Sequence, residues 1–223
     1  MSFAQRSLKF FLNLKEPEYL GEGISVINPY ENKIVQEVVS SFYTKYFNDN
    51  KSRVFVLGIN PGRFGGGITG ISFTDPVALR DFCKIENSFG EKRELSSIFV
   101  YEVISKFGGC KNFYSSFFLS AVYPLAIIKD GKNHNYYDSK KLFNTLKNDI
   151  KNSLLEQYKL GAKKNVVISL GKKNAEFIQR INNKLNLFQK VEYLEHPRFI
   201  MQYRRRKKDE YIDKYLEMFS KYV

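Results

Sequence analysis

Two periods of apolar and polar residues run along the chain and divide it into short strands and amphipathic helices. Residues Val54 to Gly58, Phe117 to Val122, Asn165 to Leu170 and Val191 to Leu194 form brief, β-branched or aromatic runs without alternation, the pattern of strands buried on both faces. Between them the spacing turns helical. Leu142, Leu146, Ile150 and Leu154 fall on one face of a helix predicted from Ser139 to Tyr158. Further helices are predicted from Ser2 to Leu14, from the Asn28-Pro29-Tyr30 turn through Phe47, from Pro76 to Phe82, from Glu94 to Phe107, from Gly171 to Leu185 and from Lys208 to Tyr222. Strands alternating with helices predict an α/β fold, a three-layer α/β/α sandwich about a mostly parallel sheet of four strands. In such a sheet the functional crevice lies at the carboxyl ends of the strands, where the loops after Leu57, after Val122 and from His196 converge.

No repeat, Pro/Ser-rich linker or low-complexity block divides the 223 residues. We therefore expect one domain over 1–223, with N-terminal helices in 1–50 and a catalytic core in 51–223. No apolar run reaches the roughly 20 residues of a bilayer span, and the N-terminus lacks a clean apolar core with a cleavage site. The expectation is a soluble, cytoplasmic protein without a membrane partner. The only cysteines, Cys83 and Cys110, have no CxxC or His spacing, so buried thiols are expected and neither a disulfide framework nor a metal site. Charge changes the picture most. With 36 Lys and Arg against 23 Asp and Glu, the net charge of +13 points to a polyanionic partner, although a merely basic surface has the same composition.

The segment most loaded with chemistry is Gly58-Ile59-Asn60-Pro61-Gly62-Arg63-Phe64-Gly65-Gly66-Gly67-Ile68-Thr69-Gly70-Ile71-Ser72-Phe73. A strand ending in GxNPG fixes the Asn60 amide beside a tight turn, and glycines nearby let a ligand approach the backbone. Read alone, the segment also fits a phosphate-cradling loop or an ordinary glycine-rich turn, although it has neither a P-loop Lys-Ser/Thr nor a spaced GxGxxG. A second segment, Glu195-His196-Pro197-Arg198, is followed by Gln202 and by Arg204-Arg205-Arg206-Lys207-Lys208. His196 ends a strand and can share a crevice with Asn60, while the cations could grip phosphates. Separately, a lone histidine is as well explained as structural, and the basic run as a solvated helix start. Asp75, before Pro76, reads as a helix N-cap.

Together these segments resemble the single-strand-selective monofunctional uracil-DNA glycosylases, a branch of the uracil-DNA glycosylase superfamily. GINPGRFGGGITGISF is similar to their first motif and His196-Pro197 to their second; the likeness extends over roughly residues 25 to 220. The resemblance implies that Asn60 positions the attacking water and that His196 is the electrophile. It implies base contacts from Ile59, Gly62, Phe64, Phe73, Ser120 and Ala121, with Phe73 stacking on the flipped base and Gly62 leaving a roomier pocket than a bulky residue would. It also implies DNA contacts from Arg63, Arg198, Phe199, Gln202, Arg204, Arg205 and Arg206. Phe199, Ile200 or Met201 would then be the apolar wedge.

Two positions depart from the family pattern. Ala121 stands where an Asn reads the base edge, and Arg198-Phe199-Ile200-Met201-Gln202 replaces the usual continuation after His-Pro. A divergent subfamily is expected, acting on uracil and also on xanthine or other deaminated bases, in single- or double-stranded DNA. It should work as a monomer at the nucleoid, without metal or cofactor, and leave an abasic site. Two other classes stay open on the residues alone: a non-catalytic nucleic-acid-binding protein and a small-nucleotide-binding enzyme.

Overall fold

The computed structural model describes residues 1–223. At the N-terminus α1 (Phe3–Leu12) starts at a capping box: Gln5 N donates to Ser2 Oγ and Ser2 N donates to Gln5 Oε1. Next come β1 (Ile24–Ile27), a single 3-10 turn at Pro29–Glu31, and α2 (Lys33–Phe47), capped by Asn32. β2 (Arg53–Gly58) is followed by two short helices, α3 (Gly66–Thr69) and α4 (Pro76–Asp81), then by α5 (Leu95–Lys106) and α6 (Gly109–Ser116). β3 (Phe117–Ala121) leads into the hairpin of β4 (Ala126–Lys129) and β5 (Lys132–His134). The chain finishes with α7 (Lys140–Lys159), β6 (Ala162–Leu170), α8 (Lys172–Leu185), β7 (Val191–Leu194), α9 (Pro197–Tyr203) and α10 (Lys208–Ser220).

The central sheet has the order β3-β2-β6-β7, and every pair in it is parallel. Gly58 lies opposite Ala121, and Leu57 opposite Ser169, so all four carboxyl ends reach the same edge. Alternation along the strands supplies the two covered faces. Phe55 and Phe118 turn toward Phe3 of α1, and Phe118 also meets Phe47 of α2. Val56 and Leu119 turn the other way, toward Val100 of α5 and Tyr215 and Phe219 of α10. This is the expected three-layer sandwich. One hydrophobic cluster runs from Phe3 to Phe219, so the N-terminal helices belong to the same core as the sheet. Leu142, Leu146, Ile150 and Leu154 are all buried in it; truncating any one to alanine would cost about 2–5 kcal/mol.

At the amino end of β2, far along the strand from Gly58, Arg53 is fully buried. Its guanidinium pairs with Asp49 at 2.9 Å, donates to Tyr114 O at 2.7 Å and packs between the rings of Phe3 and Phe47. A buried cation so completely partnered anchors the strand.

Besides α3, a short helix inside the glycine-rich segment, four features depart from the sequence expectation. The chain has a second, antiparallel sheet in the order β1-β4-β5, whose strands are three or four residues long. Its tight turn at Asp130-Gly131 has φ of 49° and 71°, the two positive values that a type I′ hairpin needs. Helix α6 lies where no helix is expected; its cap Gly108 and first residue Gly109 have φ of 104° and 88°. β6 begins three residues early. The segment after His196 is a helix, α9, rather than an open loop, because Pro197 at the first helical position and His196 at the cap start one. No helix of the chain is long and apolar enough to cross a membrane.

Candidate active site

At the carboxyl edge of the sheet a cavity of about 350 Å³ opens between the β2 loop, the N-terminus of α5, the β4–β5 hairpin and α9. Asn60 enters it from the end of β2, and its amide is clamped by the hairpin: Nδ2 donates to His134 O at 3.0 Å and Oδ1 accepts from Tyr136 N at 3.2 Å. One donor hydrogen and one acceptor lone pair remain for a ligand. The clamp is itself held. Tyr136 Oη donates to buried Asn174 Oδ1 at 2.8 Å, and Asn174 Nδ2 lies 3.1 Å from the carbonyls of both Leu57 and Gly58. Asn174 thereby ties α8, the end of β2 and the Asn60 support into one network. Neither Asn174 nor Tyr136 stands out in the sequence, where both read as ordinary helix and loop residues.

Phe73 forms the next wall. Its φ of 56° is in the left-handed region, which costs a bulky residue of order 1–3 kcal/mol. The preceding loop over-determines it: Thr69 Oγ1 donates to Thr74 O at 2.7 Å and accepts from Ile71 N at 3.1 Å. The tip of the ring rests on Gly58, where an added Cβ would come within 2.5 Å of Phe73 Cζ, and its centroid is 5.9 Å from that of His196. Gly58 is therefore required for the Phe73 ring to sit where it does. Gly66 and Gly67 are buried against Pro61, Ile71 and Ala126, so these glycines serve packing of chain on chain rather than a phosphate cradle.

His196 caps α9. The Arg198 backbone N–H donates to Nδ1 at 3.2 Å. A backbone N–H can only donate, so Nδ1 is unprotonated and the ring proton sits on Nε2. Burial, and secondarily the charge of Arg198, push the imidazole down to about 4, so it is neutral at ordinary pH. The cavity thus contains a neutral, oriented N–H donor, an oriented amide and a fixed aromatic ring.

The remaining expected residues divide between wall, rim and elsewhere. Ile59, Gly62, Ala121, Arg198, Phe199 and Gln202 line the cavity. Ser120 does not: strand alternation turns it to the opposite face, where its hydroxyl donates to Gln157 of α7 at 2.5 Å. Phe64 is also outside, a surface ring between Arg63 and Lys92, with the cations 4.4 and 4.7 Å from its centroid. Both are corrections to the expected base contacts. Ile200 and Met201 are buried in the core by α9, which removes them as wedges and leaves Phe199, 39% exposed. Arg204, Arg205 and Arg206 lie exposed beyond α9 without ion pairs, and Arg63, whose side chain donates to Gly131 O, continues the basic rim.

The expected extra room at Gly62 is absent, because a carboxylate fills it. A Cβ on Gly62 or on Gly65 would overlap the oxygens of Glu94, the N-cap residue of α5. Asp75 places this residue: Oδ1 caps α4 through Ala78 N at 2.7 Å, as expected, and Oδ2 accepts from Glu94 N at 2.8 Å. Burial pushes the Glu94 carboxyl up to about 7. Asn133, Asn135, Ser72, Ser96 and Tyr203 complete the lining. Ser72 belongs to the glycine-rich segment itself, whereas Ser96 comes from α5, Asn133 and Asn135 from the hairpin and its exit, and Tyr203 from α9, none of them marked by a motif.

A family model described as the uracil DNA glycosylase superfamily matches residues 44–220. Among solved structures, the crystal structure of wild-type Pedobacter heparinus SMUG2 is similar at a TM-score of 0.94, with 42% sequence identity over 99% of this chain and 97% of that one. Comparison with curated proteins gives no match. The family match over most of the length, the whole-chain likeness and the two sequence motifs agree, and the chain belongs to the uracil DNA glycosylase superfamily as a SMUG-type monofunctional enzyme.

Proposed function

We propose that this cavity receives a uracil flipped from DNA, and accepts other deaminated bases such as xanthine, with Asn60 and His196 as its catalytic residues. A base within a duplex hides its glycosidic bond, so the nucleotide must be extruded before it can be read. Arg63, Arg198, Arg204, Arg205 and Arg206 hold phosphates around the mouth, and Phe199 enters the vacated stack. Phe73 then stacks on the base in the cavity.

As the glycosidic bond breaks, the departing base gathers negative charge on a carbonyl oxygen. His196 Nε2–H donates to that oxygen; a single preorganised donor of this kind contributes roughly 3–4 kcal/mol. Its neutral state suits the task, since it donates without surrendering its proton. Asn60 holds water with its free lone pair and free hydrogen. An amide is a weak base, which fits a reaction where bond breaking leads and water needs placing more than deprotonating. The product is an abasic site with the strand intact.

The observation that carries this reading is the His196 tautomer, fixed by the Arg198 N–H in the cavity shared with Asn60 and Phe73. The net charge of +13 supports residence on nucleoid DNA. The test incubates wild type and His196→Ala, in EDTA, with labelled single- and double-stranded oligonucleotides carrying uracil, xanthine or hypoxanthine, followed by alkali. Alkali-dependent cleavage at the lesion, lost in the variant, is expected. DNA binding without cleavage on any substrate would refute the proposal and favour a non-catalytic DNA-binding protein.

A further inference from the structure

Glu94 has no part in the scheme above, yet it is the one carboxyl group on the cavity wall. Its oxygens make no hydrogen bond and no ion pair, although its backbone N–H is fixed by Asp75. They rest on Gly62 and Gly65, where any side chain would collide with them. The two glycines leave the space in which the carboxyl group lies, and a side chain at either would have to push it aside. Half-buried on the wall and bonded to nothing in the protein, these oxygens are free to meet whatever enters the cavity.

The opposite need arises at Ala121. It lines the same cavity with a methyl group, which cannot hydrogen-bond to a base. We propose that Glu94 contacts the flipped base directly, as an uncharged acid whose O–H donates to an acceptor atom of the base. The inference rests on the glycosylase reading given above and adds a substrate contact to it. A neutral carboxyl can both donate and accept, as the amide missing at position 121 would.

The surroundings keep the proton in place near neutrality. Burial raises the carboxyl to about 7; Arg198 of α9 opposes this and Asp75 at the start of α4 assists it. Two further titratable side chains of α9 line the cavity, His196, which is neutral in this range, and the phenol Tyr203. From the glycine loop and the hairpin, Gly62, Gly65 and Asn133 face it, and none titrates. Ionisation of Glu94 exchanges a donor for a negative charge beside a base that leaves as an anion, so excision should slow as the pH rises through 7.

Single-turnover excision of uracil from a labelled oligonucleotide between pH 5.5 and 9 tests this with wild type, Glu94→Gln and Glu94→Ala. Binding to an oligonucleotide carrying a tetrahydrofuran abasic analogue runs in parallel. Wild type should lose about tenfold in rate per pH unit above 7, as a single ionisation requires. Glu94→Gln keeps a donor without a titrating proton, so it should lack this limb and stay within about tenfold of wild type at pH 6. Glu94→Ala should be slower at pH 6 by about 10- to 100-fold, the range of a hydrogen bond to a charged group, with abasic DNA bound as tightly as by wild type. The proposal is overturned if the alkaline limb persists in Glu94→Gln, if Glu94→Ala matches wild type, or if Glu94→Ala loses abasic-DNA binding in step with excision. A wild type inactive at every pH would instead refute the glycosylase reading itself.

Discussion

Replacing His196 with asparagine separates the two jobs the imidazole performs. Asparagine is a strong N-cap, so the bond from Arg198 N and the start of α9 survive, while Nε2–H and the titrating ring disappear. Excision should therefore fall by about 10²–10³-fold, the loss expected for one oriented donor at a developing oxyanion. Stability carries a second signature. The folded protein holds this ring neutral down to about pH 4, against 6.5 for a free imidazole. Between those values the unfolded chain binds more protons, so stability declines as the pH falls through this window. The whole displacement corresponds to about 3 kcal/mol, of which about 2 kcal/mol is lost between pH 7 and 4.5. Urea unfolding of wild type and His196→Asn at these two pH values isolates the contribution as a difference of differences, with single-turnover excision measured on the same preparations. Equal acid sensitivity in the two proteins would refute the neutral imidazole. Excision within a few-fold of wild type would refute its role as the donor.

Asn60→Ala removes both ends of the clamp to His134 O and Tyr136 N together with the water site, and single-turnover excision should fall by about 10²-fold or more, with abasic-DNA affinity retained. Replacing Arg204, Arg205 and Arg206 together with alanine should lower the slope of log binding constant against log salt by roughly 3 and leave excision at saturating enzyme unchanged, as titrations at several salt concentrations would show. Phe199→Ala should slow excision from duplex DNA about tenfold and from single strands much less, because only a duplex leaves a stack to fill. Ala121→Asn restores an amide to the cavity wall and should raise uracil excision relative to xanthine excision by about tenfold in paired single-turnover assays.

What could be read in advance follows from how each feature is encoded. The parallel sheet, Asn60 and His196 depend on local signals: apolar runs that end in Gly-Ile-Asn-Pro and in His-Pro, which a fold of this class must bring to one edge. The β4–β5 hairpin had a signal too, the Asp130-Gly131 pair between short apolar and polar runs, but its strands are so brief that periodicity cannot reveal them. Ser120 and Ala121 show a different limit. Adjacent in a strand, they necessarily face opposite ways, and assigning both to one pocket conflicts with the two-residue repeat whatever the family pattern implies.

Glu94 is the least legible residue and the most consequential. Nothing at position 94 distinguishes a pocket acid from a solvated residue ahead of a helix. Its meaning comes from the bond to Asp75 and from two glycines some thirty residues earlier that yield their volume to it. Gly62 alone implies an open pocket, whereas Gly62 with Glu94 makes one bounded by a group whose charge depends on pH. The size of this base pocket is therefore a property of the pair, and replacing either partner changes both its volume and its electrostatics. A bulky residue at Gly62 must displace the carboxyl, while Glu94→Ala leaves the space that the glycines would otherwise open. The shape of the cavity thus rests on a contact between loop and helix, which the glycine-rich motif only makes room for.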